Sequence, residues 1–175
     1  MHTTSTATGT TTPGAAAPGS AGRRRAGTAV AALLTADALL HAFWAAGPTW
    51  PADSTEALSQ GLLNADVPFT PRVLLPLCAL LGTGAVGVYA HSRDRGGRTT
   101  ALITAAVAAG LAVRATVGVV WALGIGTDPG STFHRLNLIV YTPVCVAFGY
   151  AAARLALTGF RRTSRRLPRT GVTGR

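Results

Sequence analysis

Four long apolar blocks dominate the chain, and each is about as long as a helix that crosses a membrane. They cover residues 26–46, 72–90, 99–124 and 136–158. A helix needs about 20 mostly apolar residues to cross the hydrocarbon core of a bilayer, whereas helices of soluble domains alternate apolar and polar faces. The pattern therefore predicts an all-α integral membrane protein, a four-transmembrane-helix bundle over residues 26–158 with no second domain.

The two ends of the chain differ from these blocks in composition. Residues 1–25 begin with Thr, Ala, Gly and Pro and contain almost no bulky apolar side chains, so we predict a disordered N-terminal tail. Residues 159–175 form a basic tail. A cleaved signal peptide over residues 23–47 is disfavoured, because the apolar run is long for one and contains Asp37 and His41.

The basic residues are distributed asymmetrically about the predicted membrane. The formal net charge is +10, and all sixteen cations are arginines. Thirteen of them fall on one side: Arg23, Arg24, Arg25, Arg93, Arg95, Arg98, Arg154, Arg161, Arg162, Arg165, Arg166, Arg169 and Arg175. The positive-inside rule then predicts a multi-pass protein of the cytoplasmic membrane with both termini in the cytoplasm.

The positions of the arginines also indicate which partners the protein binds. Basic tails beside a membrane are attracted to anionic lipid headgroups, so we expect the lipid bilayer to be the partner of these arginines. The arginine clusters lack interleaved aromatic residues, which single-stranded nucleic-acid binders use for base stacking. We therefore predict no nucleic-acid binding. A homo-oligomer or a second membrane protein as partner remains open.

The outer loop between the first two spans, residues 47–71, carries a short amphipathic pattern. Within it, the stretch DSTEALSQGLLN predicts a helix with Asp53 as its N-cap and Glu56 three positions later, a capping-box spacing. Its leucines form an apolar stripe. Two interpretations stay open: a helix that covers the end of the bundle, or one that rests on the membrane surface.

Two pairs of short matching segments suggest an internal repeat. WAAG at Trp44–Gly47 resembles WALG at Trp121–Gly124, and Pro-x-Cys-x-x-x-Gly occurs at Pro76–Gly82 and again at Pro143–Gly149. Their order predicts two parallel helical-hairpin repeats, related by a pseudo-twofold axis along the membrane normal. Chance matching in a chain rich in Ala and Gly is the alternative.

Two opposite charges occupy equivalent positions in this repeat. Asp37 lies seven residues before Trp44, and Arg114 lies seven residues before Trp121. Ionisable groups at such depth face the bundle interior and find partners, so we predict a buried Asp37–Arg114 ion pair between spans one and three. Small residues that allow close helix approach follow one face of span three: Ala106, Gly110, Gly118 and Ala122.

The candidate functional residues form one predicted polar cluster, either ligand-binding or structural: Asp37, His41, Trp44, Arg114 and Tyr141. The aromatic members also suit a membrane-interface belt. A metal site would need Asp37 and His41 with Cys78 or Cys145, but Arg114 would repel the cation. Haem would need a second axial ligand at that depth. We therefore predict no metal, no cofactor and no catalytic residue.

Three segments carry a family resemblance. LLHAFWAAGPTWP, the arginine of the third span, and NLIVYTPVC resemble an uncharacterised family of small four-span bacterial membrane proteins, mainly actinobacterial, which is a domain of unknown function (family 3995). The resemblance covers about residues 27–158. It implies an integral membrane protein, and it implies no activity, cofactor or catalytic residue.

Two classes of function follow. The first is a non-enzymatic bundle that binds a partner or a small ligand. The alternative is a small transporter or membrane enzyme whose outward-facing pocket binds an anionic or quinone-like ligand through His41, Arg114 and Tyr141. A cavity open to the outer side would favour the alternative, and a fully packed centre would favour the first. Any redox role of Cys78 and Cys145 stays open.

Overall fold

In the part of the chain that the structure describes, the fold consists of four long helices, two short ones and one π-helical turn. The computed structural model describes residues 20–165, with the side chains of residues 20–158. The elements are α1 (Ser20–Ala45), α2 (Thr55–Leu63), α3 (Pro71–Ser92), α4 (Gly97–Ala122), α5 (Thr132–Leu136), a π-helical turn (Asn137–Tyr141) and α6 (Thr142–Arg165). The described part of the chain contains no strand, so the all-α prediction is confirmed.

Within residues 20–165, four segments are long and apolar enough to cross a membrane: α1, α3, α4 and the continuous segment Thr132–Thr158. They confirm the predicted four-helix bundle, although all four segments begin earlier than predicted, by one to six residues. The last span starts at Thr132 because Ser131 caps α5, with its Oγ accepting a hydrogen bond from His134 N at 3.1 Å. A serine at this position satisfies a helix N–H that would otherwise lack a partner.

The predicted boundary of the disordered N-terminal tail is wrong for residues 20–25, because α1 already begins at Ser20. Arg23 holds this first turn in place. Its guanidinium forms an ion pair with Asp94 and donates a hydrogen bond to His91 O at 3.1 Å. These contacts tie the start of α1 to the end of α3. Residues 1–19 and 166–175, on which the rest of the two tail predictions falls, lie outside the described residues.

The long helices pack as two hairpins. Helix α1 packs chiefly against α3, and α4 chiefly against α6, while α3 also contacts α4 and α1 also contacts α6. The order around the bundle is therefore α1, α3, α4, α6. Helices α1 and α4 lie across the bundle from each other without substantial contact. Two hairpins are what the repeat prediction requires, but their superposition is untested, so the repeat stays a prediction.

The main apolar core lies in the half of the bundle that contains the short loop between α3 and α4, here called the short-loop end. Its buried members come from α1, α3 and α6: Val30, Ala31, Leu34, Ala85, Val88, Ala152 and Leu155. Close contact of α1 with α3 depends on Gly27, since a Cβ at that position would overlap Ser92 Cβ. A hydrogen bond from His91 Nε2 to Leu155 O at 3.3 Å joins α3 to α6 there.

The opposite half, here called the α2 end, has a smaller core made by Trp44, Leu58 and Leu74. Trp44 is only 7% exposed, and its Nε1 donates a hydrogen bond to Trp50 O at 2.9 Å. The membrane-interface belt is therefore the wrong interpretation for Trp44. Helix α2 is held against α1 and α3 by these contacts, so it covers the end of the first hairpin.

The N-cap of α2 is Ser54 and not the predicted Asp53. Ser54 Oγ accepts a hydrogen bond from Ala57 N at 3.1 Å. The pKa of the Glu56 carboxyl lies below its usual value because it accepts hydrogen bonds from its own backbone N–H and from Ser54. With Ser54 as the cap, Glu56 is the second helical residue rather than the third, so the predicted capping box is not formed. The helix ends at Asn64, which adopts the left-handed conformation with φ 54°.

Candidate functional site

A buried amide joins α4 to the start of α6. Asn137, the first residue of the π-helical turn, is 0% exposed. Its Nδ2 donates a hydrogen bond to Gly118 O at 2.7 Å, and its Oδ1 accepts hydrogen bonds from Arg114 Nη1 and Thr142 Oγ1, both at 3.2 Å. Burial of an amide is costly unless its polar atoms are hydrogen-bonded, and this network provides that compensation.

Two local features allow this network to form. A Cβ on Gly118 would overlap Thr142 Oγ1, so the glycine permits the close approach of α4 to α6. Pro143 follows directly after the network, and a proline has no N–H to donate within a helix. The wider π turn before it ends with Thr142 N–H bonded to Asn137 O. Single π turns of this kind are frequent at functional sites.

The small-residue face of α4 is used only in part. Gly118 makes the predicted close contact, whereas Gly110 has open space around it and Ala106 is exposed. Within the described residues, the face is therefore packed near the α2 end and uncovered near its middle.

Aromatic rings surround the Arg114 guanidinium. Its Cζ lies 5.2 Å from the centre of the Trp121 ring and 5.6 Å from that of Tyr141. Phe133 packs edge-on against Trp121, with ring centres 5.0 Å apart. The positive charge is thus stabilised by ring faces and by the Asn137 amide rather than by a carboxylate.

A cavity of about 450 Å³ lies between α2 and the segment formed by α5 and the π turn. Its lining residues are Pro51, Ala52, Asp53, Ala57, Leu58, Gln60, Gly61, Leu62, Asn64, Ser131, Thr132, Phe133, Leu136 and Tyr141. Tyr141 Oη lies 3.4 Å from Gly61 O across it. The volume falls in the range of small-molecule sites.

A family model described as "Protein of unknown function (DUF3995)" matches residues 34–152. The chain belongs to the DUF3995 family. No curated protein and no solved structure matches the chain. The DUF3995 region contains the Asn137 network and every residue that lines the cavity, whereas Arg23, which anchors the start of α1, precedes it.

Within the DUF3995 region, the residues of the predicted polar cluster fall into two clusters rather than one. On α1, His41 Nδ1 lies 2.8 Å from Asp37 O and 3.3 Å from Asp37 Oδ1. The His41 ring packs edge-on against Trp44 at 5.3 Å. Arg114 and Tyr141 belong instead to the second cluster, with Asn137. Of the predicted residues, only Tyr141 lines the cavity.

The predicted Asp37–Arg114 ion pair is wrong as a direct contact, because no such pair lies within 4.0 Å among the described side chains. The arrangement of the helices gives the reason. Asp37 is on α1 and Arg114 is on α4, and these two helices face each other across the bundle. Each side chain therefore takes a nearer partner, and the Asp37 side chain stays 47% exposed.

The central residue of the second cluster, Asn137, was missed from the sequence. It is the one asparagine within the four predicted spans, and polar residues inside spans are candidates for interhelical hydrogen bonds. A lone asparagine within a span is therefore the sequence signal that indicates this network. Of the two cysteines in the DUF3995 region, both free thiols, Cys78 Sγ donates a hydrogen bond to Ala38 O at 3.4 Å.

We expect a double-mutant cycle to separate these pairings. Asp37→Ala and His41→Ala should be coupled by about 0.5 kcal/mol, because residues in contact deviate from additivity by that much or more. Asp37→Ala and Arg114→Ala should instead be additive, because the two side chains do not touch. Unfolding of the three single and two double variants in detergent, beside the original protein, measures both cycles. Coupling of Asp37 to Arg114 that exceeds its coupling to His41 would restore the original ion-pair hypothesis.

Proposed function

We propose that this protein is a non-enzymatic integral membrane protein that binds a small ligand in the cavity between α2 and α5. The observation that carries the proposal is the cavity itself: it has the volume of a small-molecule site, and α2 covers one side of it. Ligand pockets are mostly apolar with a few placed polar groups, and the lining residues have this character.

We further propose that the cavity faces the outside of the cell. Arginines at the short-loop end motivate this orientation: Arg23, Arg24, Arg25, Arg93, Arg95, Arg98 and Arg154. Positive residues are enriched on the cytoplasmic side of membrane proteins, which puts both termini inside. Arg93 lies over the Tyr89 ring, with its Cζ 3.5 Å from the ring centre, and Arg154 donates a hydrogen bond to Tyr150 Oη at 2.8 Å. These pairs suit an interface with anionic lipid headgroups.

Reporter fusions test the orientation. Fusions after residue 60 and after residue 130 should report an external location, and fusions at residue 95 and at the C-terminus should report a cytoplasmic one. Alkaline phosphatase and green fluorescent protein activities provide the two readouts. A fluorescent, phosphatase-negative fusion after residue 60 would contradict the proposed orientation.

Filling the cavity tests the ligand-binding proposal. Gly61 lines the cavity, and no atom lies within 4 Å of where its Cβ would be, so Gly61→Leu should occupy the space without distorting α2. Native mass spectrometry should show a co-purified small molecule on the original protein and its loss from Gly61→Leu. Gly82 is equally open but lies on α3, outside the cavity, so Gly82→Leu is the matched control. Equal retention by both variants would contradict the proposal.

The alternative, a small transporter or membrane enzyme, has one specific observation in its favour. Tyr141 lines the cavity and also contacts Arg114, so the cavity lies next to a partly buried charge. His41 and Arg114 do not line the cavity, which weakens the case for an anionic ligand held by them. Movement of the co-purified molecule across proteoliposomes, or its chemical conversion, would favour this alternative over simple binding.

A further inference from the structure

We infer that the cavity takes an uncharged, largely apolar molecule that carries a hydrogen-bond acceptor, such as a ketone, quinone or ester carbonyl, and that Tyr141 Oη donates to that acceptor. This inference rests on the proposed ligand-binding function and specifies the chemistry of the same site.

The walls of the cavity require an apolar ligand body. Leu58 and Phe133 are 4% and 2% exposed, so they are held in place by packing on their other sides. Leu62 and Leu136 complete the apolar lining. Transfer of a ligand's apolar surface from water to such walls is favourable at about 25 cal/mol per Å².

Charges on opposite sides of the cavity favour neither kind of ion. Asp53 is the one charged residue in the lining, and its carboxylate would repel an anionic ligand. Behind the opposite wall, Arg114 Cζ lies 5.6 Å from the Tyr141 ring centre. The Arg114 guanidinium would repel a cationic ligand. It also lies over the face of the Tyr141 ring, whose negative potential could otherwise attract a cation. Either ion would also be attracted by the opposite charge, so the two charges give neither ion a net advantage. An uncharged ligand enters without the cost of removing an ion from water.

The tyrosine hydroxyl is the donor best placed for the ligand. Its distance to Gly61 O is 3.4 Å, whereas hydrogen bonds between hydroxyl and carbonyl oxygens are shortest and most frequent near 2.7–2.8 Å. A ligand acceptor could therefore displace this weak contact at little cost. Asn64 and Ser131, two other polar residues of the lining, already donate to Gly126 O at 2.9 Å and Asp128 O at 2.7 Å. Gln60 and Thr132 are exposed, where water competes for them.

Four probes with one naphthalene skeleton test the inference on the full chain in nanodiscs. They are 2-acetylnaphthalene with a neutral acceptor, 2-ethylnaphthalene without one, 2-naphthoate as the anion and 2-naphthylmethylammonium as the cation. Titration calorimetry should show the ketone binding most tightly. Tyr141→Phe should weaken ketone binding about 5- to 10-fold, the effect of one hydrogen bond, and should leave the ethyl compound unchanged. The ring that contacts Arg114 is retained in this variant.

The outcomes distinguish the two proposals. In one outcome, the naphthoate or the ammonium compound binds more tightly than the ketone and is still blocked by Gly61→Leu. That result would overturn the proposed ligand class but would keep the cavity as the binding site. An unchanged ketone affinity in Tyr141→Phe would overturn the role of the hydroxyl. Absence of ketone binding would also overturn the inference. Ketone binding that is equal in Gly61→Leu and in the Gly82→Leu control would overturn the proposed function itself.

Discussion

Replacement of Gly27 by alanine should lower the free energy of unfolding by about 2 kcal/mol. The new Cβ would overlap Ser92 Cβ, and because neither atom can rotate away, α1 and α3 must separate. Overpacking of this kind costs about 1–3 kcal/mol and occasionally more. Alanine favours a helix over glycine by up to about 1 kcal/mol, which offsets part of the loss. Reversible unfolding in detergent, followed by circular dichroism, measures the change.

Two further variants show whether the helix contact is the cause. Gly82→Ala makes the same chemical change in α3 at a position with open space, so it should be neutral or slightly stabilising. The double variant Gly27→Ala with Ser92→Gly moves the small residue to the facing helix, so it should recover stability relative to Gly27→Ala alone. A loss in Gly82→Ala equal to that in Gly27→Ala would argue against close packing as the explanation.

Replacement of Asn137 by leucine should cost about 2–3 kcal/mol. Leucine has a similar volume but leaves Arg114, Gly118 O and Thr142 without the partner that the amide provides. Hydrogen bonds between membrane helices contribute about 0.6 kcal/mol each on average and up to about 1.7, and those to a charged group are stronger. The same unfolding measurement applies. The Tyr141 side chain should also shift, since Tyr141 is the last residue of the same π turn, so ketone binding should weaken.

The double variant Asn137→Leu with Arg114→Leu is the informative comparison. Removal of both partners takes away the uncompensated guanidinium, so the double variant should be less damaged than the sum of the two single ones. Thr116→Val serves as the control, because the Thr116 hydroxyl bonds only within its own helix, to Ala112 O at 2.9 Å, and should matter little. A loss in Thr116→Val equal to that in Asn137→Leu would show that the method responds to any hydroxyl or amide.

The four spans could be predicted from the sequence because the length of an apolar run determines whether a helix can cross a bilayer. The differences at the helix ends come from contacts and caps that the length of an apolar run does not reveal. Arg23 extends α1 to Ser20 through its contacts with His91 and Asp94, which are distant in sequence. Ser54 rather than Asp53 caps α2, and helix ends are commonly uncertain by one or two residues.

Sequence position along a helix determines approximate depth in the membrane but not the direction in which a side chain meets its neighbours. The count of seven residues to Trp44 and to Trp121 therefore gave Asp37 and Arg114 a common depth and an incorrect pairing. Only the tertiary structure decided that α1 and α4 lie across the bundle. The carboxylate then meets His41 one turn away, and the guanidinium meets Asn137.

The cavity is the part of the molecule for which the sequence held least information. Its walls come from residues 51–64 and 131–141, two segments that meet in the folded chain through the packing of α2 against α5 and the contact of Tyr141 Oη with Gly61 O. By itself, the sequence determined that the chain is a four-span membrane bundle, since apolar length and helix formation are properties of single segments. The tertiary structure decided where a small molecule fits, because a cavity is the space that separate segments leave between them.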